Sequence, residues 1–232
     1  WPLNEDSGDK AYDHSGNEFH GSINGAGPVD TGTVSGPLGQ KAYDFDGADD
    51  YVEIGDSDAL DISREITISF WLYQDSLGGG SSSWQLLLGK APVGADGYQT
   101  ENRTYSVWSN DDGYIHLTSS SSSSGQTRIN TPNGSIGTGR WYHYVGVIDR
   151  TRGRIISYVD GVRKAESSID TNDTVTNTSP VRIGSSGTDN WEEFGGKMSE
   201  VRIYNRPLTK SEVDYLYLVG SRGHQVTSRK SS

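Results

Sequence analysis

No cysteine occurs among these 232 residues, and only one methionine, so disulfides and thiolate-held metals are excluded. Stability must rest on packing and on any cation held by oxygen ligands. No stretch approaches the roughly 18 apolar residues of a membrane span, and no hydrophobic leader is visible, so membrane insertion is not expected. Basic residues are outnumbered, 20 against 31 acidic, giving a net charge of -11 that repels phosphate backbones and argues against a nucleic-acid partner. Lysine is the scarcer of the two basic types, and such an acidic, lysine-poor surface is compatible with a halophilic source. Long uninterrupted helical stretches are missing as well. Thirty glycines and frequent Asn, Asp and Ser clusters cut the chain into short pieces.

What remains is strand-like. Ile66-Thr-Ile-Ser-Phe-Trp-Leu-Tyr73 alternates strictly and places Ile66, Ile68, Phe70 and Leu72 on one face. Residues 42–54 form two short alternating runs around a Gly-centred turn. Further strands are expected at 84–88, 104–108, 114–118, 141–148, 155–159, 181–184 and 198–204, with Asp160-Gly161 as a tight turn. Asn110-Asp-Asp-Gly113 reads as a hairpin turn. Residues 78–83 and 119–124, rich in glycine and serine, are expected to be mobile loops. One short helix is expected from Thr209, where Thr209-Lys-Ser-Glu212 forms a capping box and Val213, Leu216 and Tyr217 an apolar face. These elements predict an all-β, two-sheet antiparallel jelly-roll sandwich with one short C-terminal helix. The domain is expected to span residues 1–220, with 221–232 a polar tail or linker. A first residue of Trp and not Met points to a processed chain or a piece of a larger one.

Seven segments in order carry a resemblance. They are Trp1-Pro-Leu-Asn-Glu5, Asp13-His-Ser-Gly-Asn17, Phe45-Asp-Gly-Ala-Asp-Asp-Tyr-Val-Glu-Ile54, Ile66-Thr-Ile-Ser-Phe-Trp71, Trp141-Tyr-His-Tyr-Val-Gly-Val147, Tyr158-Val-Asp-Gly161 and Gly196-Lys-Met-Ser-Glu-Val-Arg-Ile-Tyr-Asn-Arg-Pro-Leu208. Together they resemble the laminin-G-like (LamG) branch of the concanavalin A-like superfamily across residues 1–218. The resemblance implies two antiparallel sheets, one of them concave, and often a structural Ca²⁺ at the rim. It leaves function open, since the fold hosts lectins, adhesion modules and glycosidases alike.

Calcium needs several hard oxygen ligands. Asp13, Asn17 and His20 in one loop, with Asp46, Asp49 and Asp50 in a second loop taken to be adjacent, offer that mixture. In the resembled family these two stretches line the metal site, with carbonyls near Asn17 and His20 contributing. The family's closing strand often carries Asp-Glu where this chain has Ser199-Glu200, which leaves Glu200 as the available acid. The alternative is that all these acids are ordinary turn formers.

Sugar recognition uses aromatic platforms beside planar hydrogen-bonding groups. Trp84, Tyr98, Trp108 and Trp191, with Asn102, Asn190 and Glu192, lie outside the resembled core motifs and are the ligand-binding candidates, whereas Trp71 and Trp141 belong to the core. The carboxylate triplet Glu-x-Asp-x-x-Glu of the superfamily's glycosidases is absent. No catalytic residue is therefore assigned, although Glu101, Asp189, Glu192 and Glu200 would be the acids to mutate in an enzyme. Mid-strand His143 is expected to be structural. Four Asn-x-Ser/Thr sequons, at Asn102, Asn133, Asn172 and Asn177, lie in turn-like stretches. The expected function is an extracellular or surface-displayed binding or adhesion module recognising glycan or a glycosylated surface protein. An assembly domain of a virion or surface layer is the alternative, and a glycoside hydrolase the third.

Overall fold

A computed structural model describes residues 1–29, 41–78, 82–94, 97–98, 102–121, 125–186 and 192–227, and of residues 28–29, 93–94, 97–98 and 222–227 the backbone alone. In chain order the first strands are β1 (Lys10–Ala11), β2 (Gly21–Asn24), β3 (Gly27–Val29), β4 (Ala42–Asp46), β5 (Tyr51–Ile54), β6 (Glu65–Gln74), β7 (Trp84–Lys90), β8 (Val93–Gly94) and β9 (Gly97–Tyr98). Then come β10 (Tyr105–Asn110), β11 (Ile115–Ser121), β12 (Gly125–Asn130), β13 (Trp141–Asp149), β14 (Arg154–Val159), β15 (Val162–Ser168), β16 (Val181–Ile183), β17 (Gly195–Tyr204) and the helix α1 (Lys210–Thr227).

The strands form an eight-stranded sheet ordered β1-β2-β5-β16-β7-β10-β11-β12 and a seven-stranded sheet ordered β15-β14-β13-β6-β17-β4-β3, with β8 and β9 as a separate ribbon. Every pairing within the two large sheets is antiparallel, as the alternating runs predict. Ile66, Ile68, Phe70 and Leu72 of β6 meet Val52, Ile54, Leu87, Leu88, Val107 and Leu117 of the opposite sheet in one core. This is the jelly-roll sandwich read from the sequence, with the alternation of β6 facing the way its periodicity dictates.

The outer face of the seven-stranded sheet is covered by α1. Val213 and Leu208 pack on Val145, Val147, Ile156 and Tyr158. Tyr217 lies over Trp71, with ring centroids 6.0 Å apart, and over His143 at 6.2 Å. His143 is fully buried, its Nε2 3.1 Å from Ser69 Oγ, in keeping with a structural role. The helix is longer than the sequence reading allows. Gly220 is not its terminator: a Cβ there would lie 2.4 Å from the Trp71 indole, so the glycine is a point of close approach and the backbone stays helical to Thr227.

Residues 119–121 also depart from expectation. The sequence reading makes them part of a loop, whereas Ser119, Ser120 and Ser121 complete β11 and are buried. Hydrogen bonding explains it: Ser119 Oγ donates to Thr104 O at 2.7 Å and accepts from Arg150 Nη2 at 3.0 Å, so a buried hydroxyl costs little here. Asn110 to Gly113 form the tight turn between β10 and β11, with Gly113 N–H donating to Asn110 O at 2.9 Å.

Candidate functional site

Strand alternation on β10, β11 and β12 splits these residues into two sets. Val107, Ile115, Leu117 and Ile129 point into the sandwich. Trp108, His116 and Asn130, which stand side by side in the register, therefore point outward. On β7 a bulge adjusts the match: Val107 pairs with Leu88 but Trp108 with Leu86, which skips Leu87. Both Leu87 and Leu88 then serve the core, and Leu86 and Trp84 join Trp108 on the outside. Two loops close the arrangement. Leu86 N–H donates to Glu192 O at 2.8 Å and Ser120 N–H to Arg103 O at 2.8 Å, which fixes both loop residues beside the sheet.

The result is a pocket of about 400 Å³ lined by Trp84, Arg103, Trp108, Tyr114, His116, Gln126, Arg128, Asn130 and Glu192. Trp84 stands edge-on to Tyr114 and His116, with centroids 5.6 and 5.3 Å away. The Trp108 indole N–H donates to Ser106 Oγ at 2.8 Å, and the Arg103 guanidinium lies 4.9 Å from the Trp108 ring centroid. His116 Nδ1 is 2.7 Å from Asn130 Oδ1. Burial lowers the His116 pKa to about 4, against the Asn130 hydrogen bond and with help from the Arg103 and Arg128 charges. The imidazole is thus neutral at neutral pH, and with Nδ1–H donating to Asn130, Nε2 is an acceptor. Burial likewise raises the Glu192 carboxyl, opposed by a Ser186 hydrogen bond and the Arg103 charge, while its Oε2 accepts no hydrogen bond. Aromatic faces, amides, two guanidiniums and a carboxyl therefore converge on one concavity.

Of the ligand-binding candidates read from the sequence, Trp84, Trp108 and Glu192 meet here. Asn102 does not line the pocket: it is exposed, and its carbonyl accepts from Asn177 Nδ2 at 2.9 Å. Asn190 and Trp191 lie outside the described residues, and Tyr98 is described by backbone alone, in β9. Sequence reasoning missed Arg103, Tyr114, His116, Gln126, Arg128 and Asn130. For His116, Arg128 and Asn130 the usable signal was the period-two alternation across 115–130, where odd positions supply Ile115, Leu117 and Ile129 to the core.

The acidic candidates separate into two groups. Asp13, Asn17 and Glu200 line a second concavity of about 520 Å³ with Trp1 and Arg202. Asp13 already accepts from Ser15 N–H, Ser15 Oγ and Phe19 N–H at 2.8 to 3.0 Å, and its carboxyl lies below its usual range through these bonds despite the opposing effect of burial. His20 Nδ1 accepts from Asp13 N–H at 3.1 Å. Glu200, in the left-handed region at φ 55 where the β17–β6 register shifts, pairs with Arg202. Asp46, Asp49 and Asp50, by contrast, bring carboxylate oxygens within 4.8 Å of one another in the β4–β5 turn. The two loops are not neighbours. Ala11 pairs with Gly21 and Gly21 with Ile54, whereas Asn24 pairs with Tyr51, so the groups sit beyond opposite ends of β2, about 10 Å apart along its length. One ion cannot be shared between them.

Among the described residues this molecule offers no carboxylate pair for glycoside hydrolysis in the outer-face pocket. Glu192 is the sole acid lining it, and Glu200 lines the other concavity. Glu101 and Asp189 lie outside the described residues.

The chain is similar to several solved binding domains. The binding domain of Paraclostridial Mosquitocidal Protein 1 superposes with a TM-score of 0.69 at 19% identity, covering 91% of this chain and 50% of that one. The botulinum neurotoxin serotype G binding domain gives 0.65 at 15% identity, covering 90% and 48%. The chain thus spans about half the length of these toxin domains. Domain 4 of AbnA, a GH43 extracellular arabinanase from Geobacillus stearothermophilus, in complex with arabinotriose, gives 0.57 at 23% identity over 85% of this chain and 87% of that one. At such identities the likeness establishes the fold. Comparison with curated proteins gives no match. The sequence profile of Laminin_G_3 covers residues 46–214, well over half of the chain, and the protein therefore belongs to this family of the concanavalin A-like lectin/glucanases superfamily.

Proposed function

We propose that this domain is a glycan-binding module acting outside the cell or at a surface, with its site in the outer-face pocket of the eight-stranded sheet. The carrying observation is the convergence of the half-buried Trp84 with Gln126, Asn130, Arg128 and Glu192 in one concavity floored by the buried Trp108. Apolar sugar faces stack on indoles while hydroxyls are read by planar amides, guanidiniums and carboxylates. The structural likeness to an arabinanase domain bound to arabinotriose and to a botulinum neurotoxin DC binding domain in complex with SialylT supports the reading in general terms. A single lining carboxylate favours binding over turnover.

Calcium belongs to the same proposal as a structural cation. The Asp46, Asp49 and Asp50 oxygens supply the donor set for a hard cation. Asp13 and Glu200 suit it less, because Asp13 already accepts three local hydrogen bonds and Glu200 pairs with Arg202, whereas Asp46 and Asp50 each accept one.

A glycan array probed with and without calcium tests the assignment, followed by titration of any hit against Trp84→Ala. Removal of the Trp84 platform is expected to weaken a hit about tenfold, the ratio that ~1.4 kcal/mol of stacking corresponds to. An intact protein silent on every glycan, or a hit indifferent to Trp84→Ala, would overturn it.

A further inference from the structure

Resting on the glycan reading, we propose that the sugar held in the outer-face pocket carries an acidic group, a carboxylate or a sulfate ester, engaged by Arg128 with Arg103 as the second positive charge. The distribution of ion pairs carries the inference. Outside the pocket, every arginine with a described side chain is matched to a carboxylate: Arg64, Arg140, Arg150, Arg152, Arg154, Arg163, Arg182, Arg202 and Arg206. In a chain with 31 acidic residues, such matching is the ordinary fate of a guanidinium. Arg128 is the exception. It is exposed, lines the pocket, and has no carboxylate partner among the described residues.

Its setting gives that charge a direction. Arg128 stands on the outer face of β12, between Gln126 and Asn130 on the same side of the strand, and pairs in register with Thr118. Arg103 reaches the same concavity from the loop before β10, with its guanidinium over Trp108. The positive charges of both depress the neighbouring His116, so the two fields overlap inside the pocket. Among the described residues one lining carboxyl, Glu192, opposes them. Tyr114 borders the pocket near Asp111 and Asp112, and the Arg128 charge reaches it too. The described lining therefore carries two guanidiniums against one carboxyl, on a molecule whose net charge is -11. A guanidinium fork matches two oxygens of a planar carboxylate or of a sulfate, and a neutral hydroxyl offers no such match.

The test is calorimetric titration of matched pairs at low and high salt: sialyllactose against lactose, trigalacturonate against galactotriose, and sulfated against unsulfated lactose. The acidic member of at least one pair is expected to bind about tenfold more tightly, with the advantage shrinking as salt rises. Preference in the carboxylate pairs alone, or in the sulfate pair alone, identifies the acid. Arg128→Gln should cut the preference to about threefold or less with no change in melting temperature, and Arg128→Lys should restore part of it. Arg206→Gln, the same charge change in the segment after β17 of the seven-stranded sheet, should leave the preference intact. Equal or tighter binding of the neutral members, or a preference that survives Arg128→Gln, overturns this inference and leaves the glycan reading standing. Silence of the intact protein on all members overturns both.

Discussion

Glu193 sits one residue beyond the pocket acid, and its side chain turns away from the same pocket. It is 4% exposed, with Oε2 accepting no hydrogen bond. Burial is the main cause that pushes its carboxyl up to about 7, joined by the Glu192 and Asp49 charges and resisted by a Ser185 hydrogen bond and Arg182. The folded state then keeps a proton that the unfolded chain, with a glutamate near pKa ~4.3, gives up. Stability from this residue is complete at acid pH and is lost as pH climbs through about 7. Glu193→Gln keeps the neutral shape. It should raise the melting temperature by about 4–8 °C near pH 8, the shift that roughly 2 kcal/mol gives a chain of this size. The gain should vanish near about pH 4, where both states are protonated. Melting curves at the two pH values check this, and a pH-independent gain would mean that Glu193 acts by packing alone.

At the scale of elements, the long alternating strands were legible and the polar ones were not. β6, β13 and β17 announce themselves because each carries apolar residues in alternation, and the Thr209–Glu212 capping box marks the start of α1, with Thr209 N–H donating to Glu212 Oε2 at 2.8 Å. β12 carries a single buried apolar residue, Ile129, so nothing in Gly-Gln-Thr-Arg-Ile-Asn distinguishes it from a loop until β11 is there to pair with it. That blind spot hid a third of the pocket lining, since Gln126, Arg128 and Asn130 all ride on β12. Trp84 and Trp108 were found because large aromatics outside the family motifs draw attention on their own, and Glu192 because it stands beside one of them, Trp191. Gly220 misled for a related reason: from sequence a glycine late in a helix reads as a stop, and only the docked indole of Trp71 reveals a packing requirement. Gly220→Ala should therefore cost about 1–3 kcal/mol by overpacking, although alanine is the better helix former in isolation. Chemical denaturation checks the sign. A stabilised variant would show that α1 can shift away from Trp71 without loss.

For the molecule as a whole, the acid excess sets the background for any cation. Calcium that binds only the folded protein at the Asp46–Asp49–Asp50 turn should stabilise it by about 2.7 kcal/mol at a hundred times the dissociation constant. Ionic strength must be matched between chelator and calcium, because screening alone relieves repulsion in a chain of net charge -11. Asp49→Asn is expected to abolish the calcium-dependent rise in melting temperature, and Asp13→Asn, at the other end of β2, to preserve it. Identical melting curves in chelator and calcium would reduce the three aspartates to turn formers.

The alternation that builds the pocket also separates two kinds of selection along a single strand. On β11 and β12 the odd positions Ile115, Leu117 and Ile129 hold the sandwich together, while Gln126, Arg128 and Asn130 line the outer-face pocket. Mutations at these three positions of β12 can accumulate without unfolding the domain, so the lining of the pocket is free to drift while the scaffold stays fixed. A library randomised at Gln126, Arg128 and Asn130 should consist largely of folded proteins with, on the proposed glycan reading, altered sugar preferences, which makes this sheet face an evolvable surface.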